Sequence, residues 1–210
     1  MVTPRHTATV RVTHWITALC SMALVLTGAE IVVSHPRFYW GETGTVDMPA
    51  LFSLPIPSSR AIIDSGYDYV LPDQNGWSRA LHFQSAWIIA ACGLLYVIYG
   101  LRSGHFRRHL LLTEFGTYNP RQRVTYLLVI FVLFPLAFWT GLAMSPAFVS
   151  VFPAAVTLLG GQQSARTLHF LVFGAALLFV LIHVTMVAVS GFRVRMAAMI
   201  TGGADREEGR

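Results

Sequence analysis

Four apolar runs decide what this chain can become. They cover about Val12–Val33, Ala80–Leu101, Val124–Met144 and Thr167–Val189, and each meets the roughly 20-residue requirement of a helix that crosses a bilayer. Backbone N–H and C=O groups in hydrocarbon must be satisfied within their own segment, so runs of this length fold as helices. Only 12% of the 210 residues are charged, against roughly a quarter in soluble domains, so the spans dominate the fold. The expectation is an all-α integral membrane protein, a four-helix transmembrane bundle forming one domain over residues 1–202. An outer loop over 34–79 joins the first two spans, and a disordered tail covers 203–210. Arg5 and Arg11 precede the first run as in a secretion signal, but its apolar stretch is long and no small-residue cleavage pattern follows. It is read as a retained span.

Orientation follows from arginine, because all fifteen basic residues are Arg. Arg5 and Arg11 precede the first span, Arg102, Arg107, Arg108, Arg121 and Arg123 fill the second connection, and Arg193, Arg195, Arg206 and Arg210 follow the fourth span. The positive-inside rule puts these segments, and with them both termini, on the cytoplasmic side of a bacterial inner membrane. The first connection carries Arg37, Arg60 and Arg79 against Glu42, Asp47, Asp64, Asp68 and Asp73, and the third carries Arg166 alone; both are expected to face outward. The basic balance therefore records insertion and attraction to anionic membrane lipid, and gives no reason to propose nucleic-acid binding.

Histidine inside a spanning helix is costly and usually faces the bundle interior, so each case is a functional hypothesis. Four of the eight histidines qualify: His14, His82, His169 and His183. The last two are separated by fourteen positions, which at 3.6 residues per turn leaves them about 40° apart around the axis and about 21 Å apart along it. They share one face at two depths. His14 opens the first span from inside and His82 opens the second from outside, so depth pairs His14 with His183 and His82 with His169. Two imidazoles facing each other from separate helices are the axial ligand set of a six-coordinate haem, which disfavours oxygen binding and favours electron transfer. The sequence has no Cys-x-x-Cys-His, so two b-type haems are expected rather than thioether-linked ones, the inner on His14 and His183, the outer on His82 and His169. Cys20 and Cys92 fall within spans and read as packing residues.

Small residues share the ligand faces: Ala18, Ser21 and Gly28 lie within about 40° of His14, and Gly93 and Gly100 within about 20° of His82. A flat macrocycle needs such clearance, and close helix packing needs it equally. Arg-x-x-His precedes three of the four candidate ligands, with Arg11, Arg79 and Arg166 each one turn nearer the water than a candidate ligand. A haem propionate would emerge there, making these arginines candidate propionate partners.

At these residues the chain resembles the bacterial cytochrome b family that includes the membrane subunits of nickel-iron hydrogenases and periplasmic formate dehydrogenases. Arg11-x-x-His14-Trp15, Arg79-x-x-His82, Tyr118-Asn119-Pro120 and the His169 to His183 spacing carry the resemblance, which covers nearly the whole chain. It implies that the first, second and fourth spans ligate while the third does not, in keeping with the lack of histidine between Val124 and Met144. It further implies that a periplasmic oxidoreductase subunit (a hydrogenase, formate dehydrogenase or molybdopterin enzyme) exchanges electrons with the outer haem, and that a quinone reacts near the cytoplasmic surface as an exchangeable substrate. Asn119 and Tyr118 mark the expected quinone region. The long first connection departs from the hydrogenase members and is more similar to members coupled to molybdopterin enzymes. The expected function is a respiratory-chain electron-transfer subunit. Two alternatives stay open: a stand-alone quinone-linked cytochrome oxidising a small reductant, and a haem-free membrane transporter or assembly factor.

Overall fold

A computed structural model of the chain describes residues 6–45, 47–56, 75–104, 106 and 120–203. The expected quinone-region residues Tyr118 and Asn119, and the tail from 204 onward, lie outside these described residues. Helix α1 runs Ala8–Ser34 and α2 runs Asn75–Arg102. A third rod is built from α3 (Pro120–Leu128), a π-helical turn (Val129–Leu133) and α4 (Phe134–Ala143). Short helices α5 (Pro146–Val151) and α6 (Ala154–Thr157) lead into α7 (Gln162–Val189), and α8 (Phe192–Ile200) follows it. Among the described residues, four helical segments are long and apolar enough to cross a membrane: Ala8–Ser34, Gly76–Arg102, Val124–Ala143 and Gln162–Val189. The protein is a multi-pass membrane protein.

The distribution of side chains is that of a bundle in lipid. Many large aliphatic residues turn outward, with Leu26 69% and Leu19 67% exposed, while small polar side chains are prominent among those buried inside: Thr13, Thr27, Ser78, Ser85, Thr140 and Thr167. Lipid solvates the outer face as well as a core would, so interior positions go to residues that let helices approach and that bond across them. The π turn in the third rod has a local cause. Pro135 has no N–H to give back to the helix, and just before it the ladder widens so that Phe134 N–H reaches the carbonyl of Val129, five residues back.

Close backbone packing runs within two pairs, α1 against α2 and the third rod against α7. Among the described residues no helix of one pair packs as closely on a helix of the other. The first and third connections meet at one end of the bundle, here called the connection end; α8 folds back at the opposite, terminal end. There Arg11 Nη1–H donates to Ile200 O at 2.9 Å and Trp15 Nε1–H to Met199 O at 3.1 Å, tying the start of α1 to α8.

At the connection end the first loop is fastened to the start of α7. Strands β1 (Arg37–Phe38) and β2 (Phe52–Ser53) pair antiparallel, and Phe38 stacks on Phe52 and Phe170. The backbone N–H groups that begin a helix have no partner within it. In α7 the N–H groups of Gln163 and Ser164 both donate to Gly41 O, at 3.0 and 3.2 Å, and Gln162 N–H donates to the Glu42 carboxylate at 3.2 Å. A carboxylate also suits the positive end of the helix dipole. So close an approach requires glycine: Gly161 has φ +114°, and a Cβ there would lie 2.6 Å from the Gly41 backbone. These bonds set the register of the helix that carries His169 and His183.

Candidate haem site

Between the two helix pairs, imidazole rings face one another in two places. His14 from α1 meets His183 from α7 with ring centroids 6.2 Å apart and planes inclined by 53°. His82 from α2 meets His169 from α7 with the same 6.2 Å separation and an inclination of 63°. The first pair lies toward the terminal end and the second toward the connection end. An imidazole nitrogen ligates a first-row metal at about 2 Å and sits about 1 Å from its own ring centroid, so two trans imidazoles place their centroids about 6 Å apart. The observed spacing fits one iron held between each pair. Among the described residues no group of three His, Cys, Asp or Glu side chains converges as a bare metal site, so a metal here needs equatorial ligands of its own, as a porphyrin provides.

Each ring has further contacts. Thr27 Oγ1 lies 2.9 Å from His82 Nδ1, and Thr140 Oγ1 lies 2.9 Å from His169 Nδ1. Nothing singled out these threonines in the sequence beforehand. The available signal was a polar residue within an apolar helix followed directly by glycine, which occurs as Thr27-Gly28 and Thr140-Gly141. At the terminal end the arrangement differs. His14 Nδ1 is buried with no hydrogen-bond partner among the described residues, Trp15 meets the His14 ring edge-on at 5.3 Å, and Phe179 stacks on His183 at 5.8 Å.

The arginines diverge. Arg11 has a buried Nε with no partner among the described residues, the donor an incoming carboxylate requires. Arg166 is engaged with protein: its Nη2 donates to His35 O and to Arg37 O, both at 2.6 Å, its Nη1 to Gln163 Oε1 at 3.1 Å, and its guanidinium lies 4.9 Å over the Phe38 ring. Two of its five donors thus hold the first connection in place, and a third stays within α7 on Gln163. Arg79 is exposed on the first turns of α2.

Among the small residues, a Cβ on Gly28 would meet His82 Cε1 at 3.6 Å, and one on Gly93 would meet nothing within 4 Å. Gly100 serves another purpose, for a Cβ there would strike the Phe106 ring at 2.5 Å. Its missing side chain seats an aromatic ring, and the clearance expected from its angle to His82 belongs to Phe106.

A family model described as prokaryotic cytochrome b561 matches residues 5–202. The chain belongs to that family. Membership makes it a membrane cytochrome b and implies b-type haem, in agreement with the facing imidazoles. A protein of Azospira oryzae, provisionally named protein-methionine-sulfoxide reductase subunit YedZ1, is 26% identical over 208 residues, covering 87% of this chain and 89% of its own. No solved structure matches. As a cytochrome b561 family member, the chain has its family-wide match across the segment that holds all four facing histidines, His14 to His183.

Proposed function

We propose that the protein is a di-haem electron-transfer subunit, holding one b haem between His14 and His183 and a second between His82 and His169. The observation that carries this reading is the pair of 6.2 Å imidazole separations, both involving α7. When bound, haem would supply reversible one-electron storage, and the paired imidazoles would hold it in a form suited to electron transfer rather than oxygen binding. The protein's part is to hold the four imidazoles on rigid helices at fixed depth, about 21 Å apart along α7. Arg11, through its orphaned Nε, would hold a propionate at the terminal end. Arg79 and the two remaining donors of Arg166 would serve the same role at the connection end.

With both termini cytoplasmic, the connection end faces the periplasm, and the first connection, pinned to α7 by Gly41, Glu42 and Arg166, forms the floor on which a redox enzyme docks. A quinone exchanges electrons at the opposite side, near the basic second connection. The likeness to the Azospira subunit favours an oxidoreductase acting on oxidised methionine as the partner, with electrons passing from quinol through the bundle to that enzyme.

The test uses the full chain purified from native membranes. The expected outcome is a reducible b-type spectrum with low-spin haem, reduction by a quinol, and co-purification of a periplasmic oxidoreductase that reoxidises it. A chain lacking haem would end the cytochrome reading. Full-rate turnover of a small reductant by the isolated chain would replace the subunit reading with a stand-alone one.

A further inference from the structure

Two Thr-Gly steps, on helices that do not carry the ligand each one touches, repeat the same contact at the connection end. Thr27 and Gly28 lie on α1 and address His82 of α2; Thr140 and Gly141 lie on α4 and address His169 of α7. In each step the hydroxyl stands 2.9 Å from Nδ1 of the imidazole. The glycine that follows turns its bare Cα to the Cε1 edge of the same ring, where a Cβ would be in contact at 3.6 Å for Gly28 and 3.4 Å for Gly141. Both hydroxyls are sealed from solvent, Thr27 being 1% and Thr140 0% exposed.

The proton inventory gives these contacts a direction. A hydroxyl has one hydrogen to donate and lone pairs to accept with. Thr27 Oγ1 lies 2.7 Å from Ala23 O and Thr140 Oγ1 lies 2.8 Å from Leu136 O, each the carbonyl four residues back in its own helix. A carbonyl can only accept, so the hydroxyl hydrogen goes to it, and the bond to the ring runs from Nδ1–H to the threonine oxygen. The neutral imidazole then carries its proton on Nδ1, which leaves Nε2 bare for a metal. An acceptor on the far nitrogen also raises the basicity of the ligating one. The terminal-end pair has no such arrangement at His14, whose Nδ1 has no partner among the described residues.

We propose that Thr27-Gly28 and Thr140-Gly141 are paired positioning elements that set the tautomer, the ring orientation and the donor strength of His82 and His169, and so tune the connection-end haem separately from the other. This rests on the reading of the four histidines as haem ligands. Stronger donation stabilises the ferric state, so removing a hydroxyl shifts that haem toward the ferrous state. The shift expected for one threonine is roughly tenfold in the ferric/ferrous equilibrium, about 59 mV for a one-electron couple.

The test compares Thr27→Val and Thr140→Val, which keep shape and lose the hydroxyl, with Thr27→Ser and Thr140→Ser, which keep it. Each is purified as the full haem-loaded chain and studied by redox titration and by low-temperature electron paramagnetic resonance of the ferric state, which responds to the angle between the two imidazole planes. The connection-end signal is the one that His169→Ala abolishes. The valine variants are expected to raise the potential of that haem and move its resonance while the other signal stays fixed, with serine restoring both. Loss of that haem alone in valine but not serine variants also supports the proposal. An unmoved signal and potential in the valine variants, equal movement of both haems, or serine behaving as valine would overturn it. A wild-type chain without haem would instead defeat the function proposed above.

Discussion

Arg166→Gln removes the guanidinium that joins the start of α7 to the first connection, and its cost can be worked out bond by bond. A hydrogen bond from a charged donor is worth about 1.5–3 kcal/mol when protected, and less where water competes. The bond to His35 O is exposed and the bond to Arg37 O partly buried, so about 1 and about 2 kcal/mol are reasonable for them. The contact over Phe38 adds about 1 kcal/mol. The loss falls locally, because the hairpin β1–β2 and its loop can open without unfolding the helices. About 4 kcal/mol corresponds to nearly a thousandfold increase in the open population. Hydrogen exchange reads this directly at the amides of Leu51 and Leu54, which donate to Phe38 O at 2.8 Å and Pro36 O at 2.9 Å. Exchange there is expected to accelerate by two to three orders of magnitude, roughly as the open population rises, while amides in the middle of α7 stay protected. Unchanged exchange at Leu51 and Leu54, with a fall in the potential of the connection-end haem, would refute the fastening role and leave Arg166 as a propionate partner only.

Gly161→Ala forces a positive-φ residue to carry a Cβ 2.6 Å from the Gly41 backbone, and is expected to destabilise the protein by at least about 2 kcal/mol, lowering its thermal midpoint in detergent. A midpoint equal to wild type would mean that the loop is not held against α7 as described. Phe106→Ala empties the seat at Gly100 and removes an aromatic ring that meets Tyr96 and Phe131 at 5.5 Å each, at a cost of about 3 kcal/mol in chemical unfolding. A cost under about 1 kcal/mol would show that lipid fills the gap without penalty.

The helices and the pairing of the histidines were legible from the sequence because a bilayer dictates helical spans and helix geometry dictates spacing. A 20-residue apolar run has one way to satisfy its backbone, and a fourteen-residue spacing on one helix has one angular consequence. What pairwise periodicity could not supply were contacts between helices. Thr27 and Thr140 look like ordinary interior threonines until α1 is seen beside α2 and α4 beside α7. Gly100 shares an angular sector with His82 but sits several turns away, next to Phe106, whose position depends on how the chain turns after α2. Arg166 has the spacing of a propionate partner, yet a loop more than a hundred residues upstream returns to take two of its donors. The π turn before Pro135 is a backbone detail that an apolar run does not specify; the widened ladder accommodates the proline within the rod itself.

The central claim is that four histidines form two independent haem sites, and single-ligand variants measure it most directly. Haem-to-protein ratios and low-temperature absorbance spectra of purified His14→Ala and His169→Ala should each show one haem lost, a different one in each variant, from a wild-type chain that holds two. A wild-type ratio of one, or loss of the same spectral component in both variants, would contradict the account.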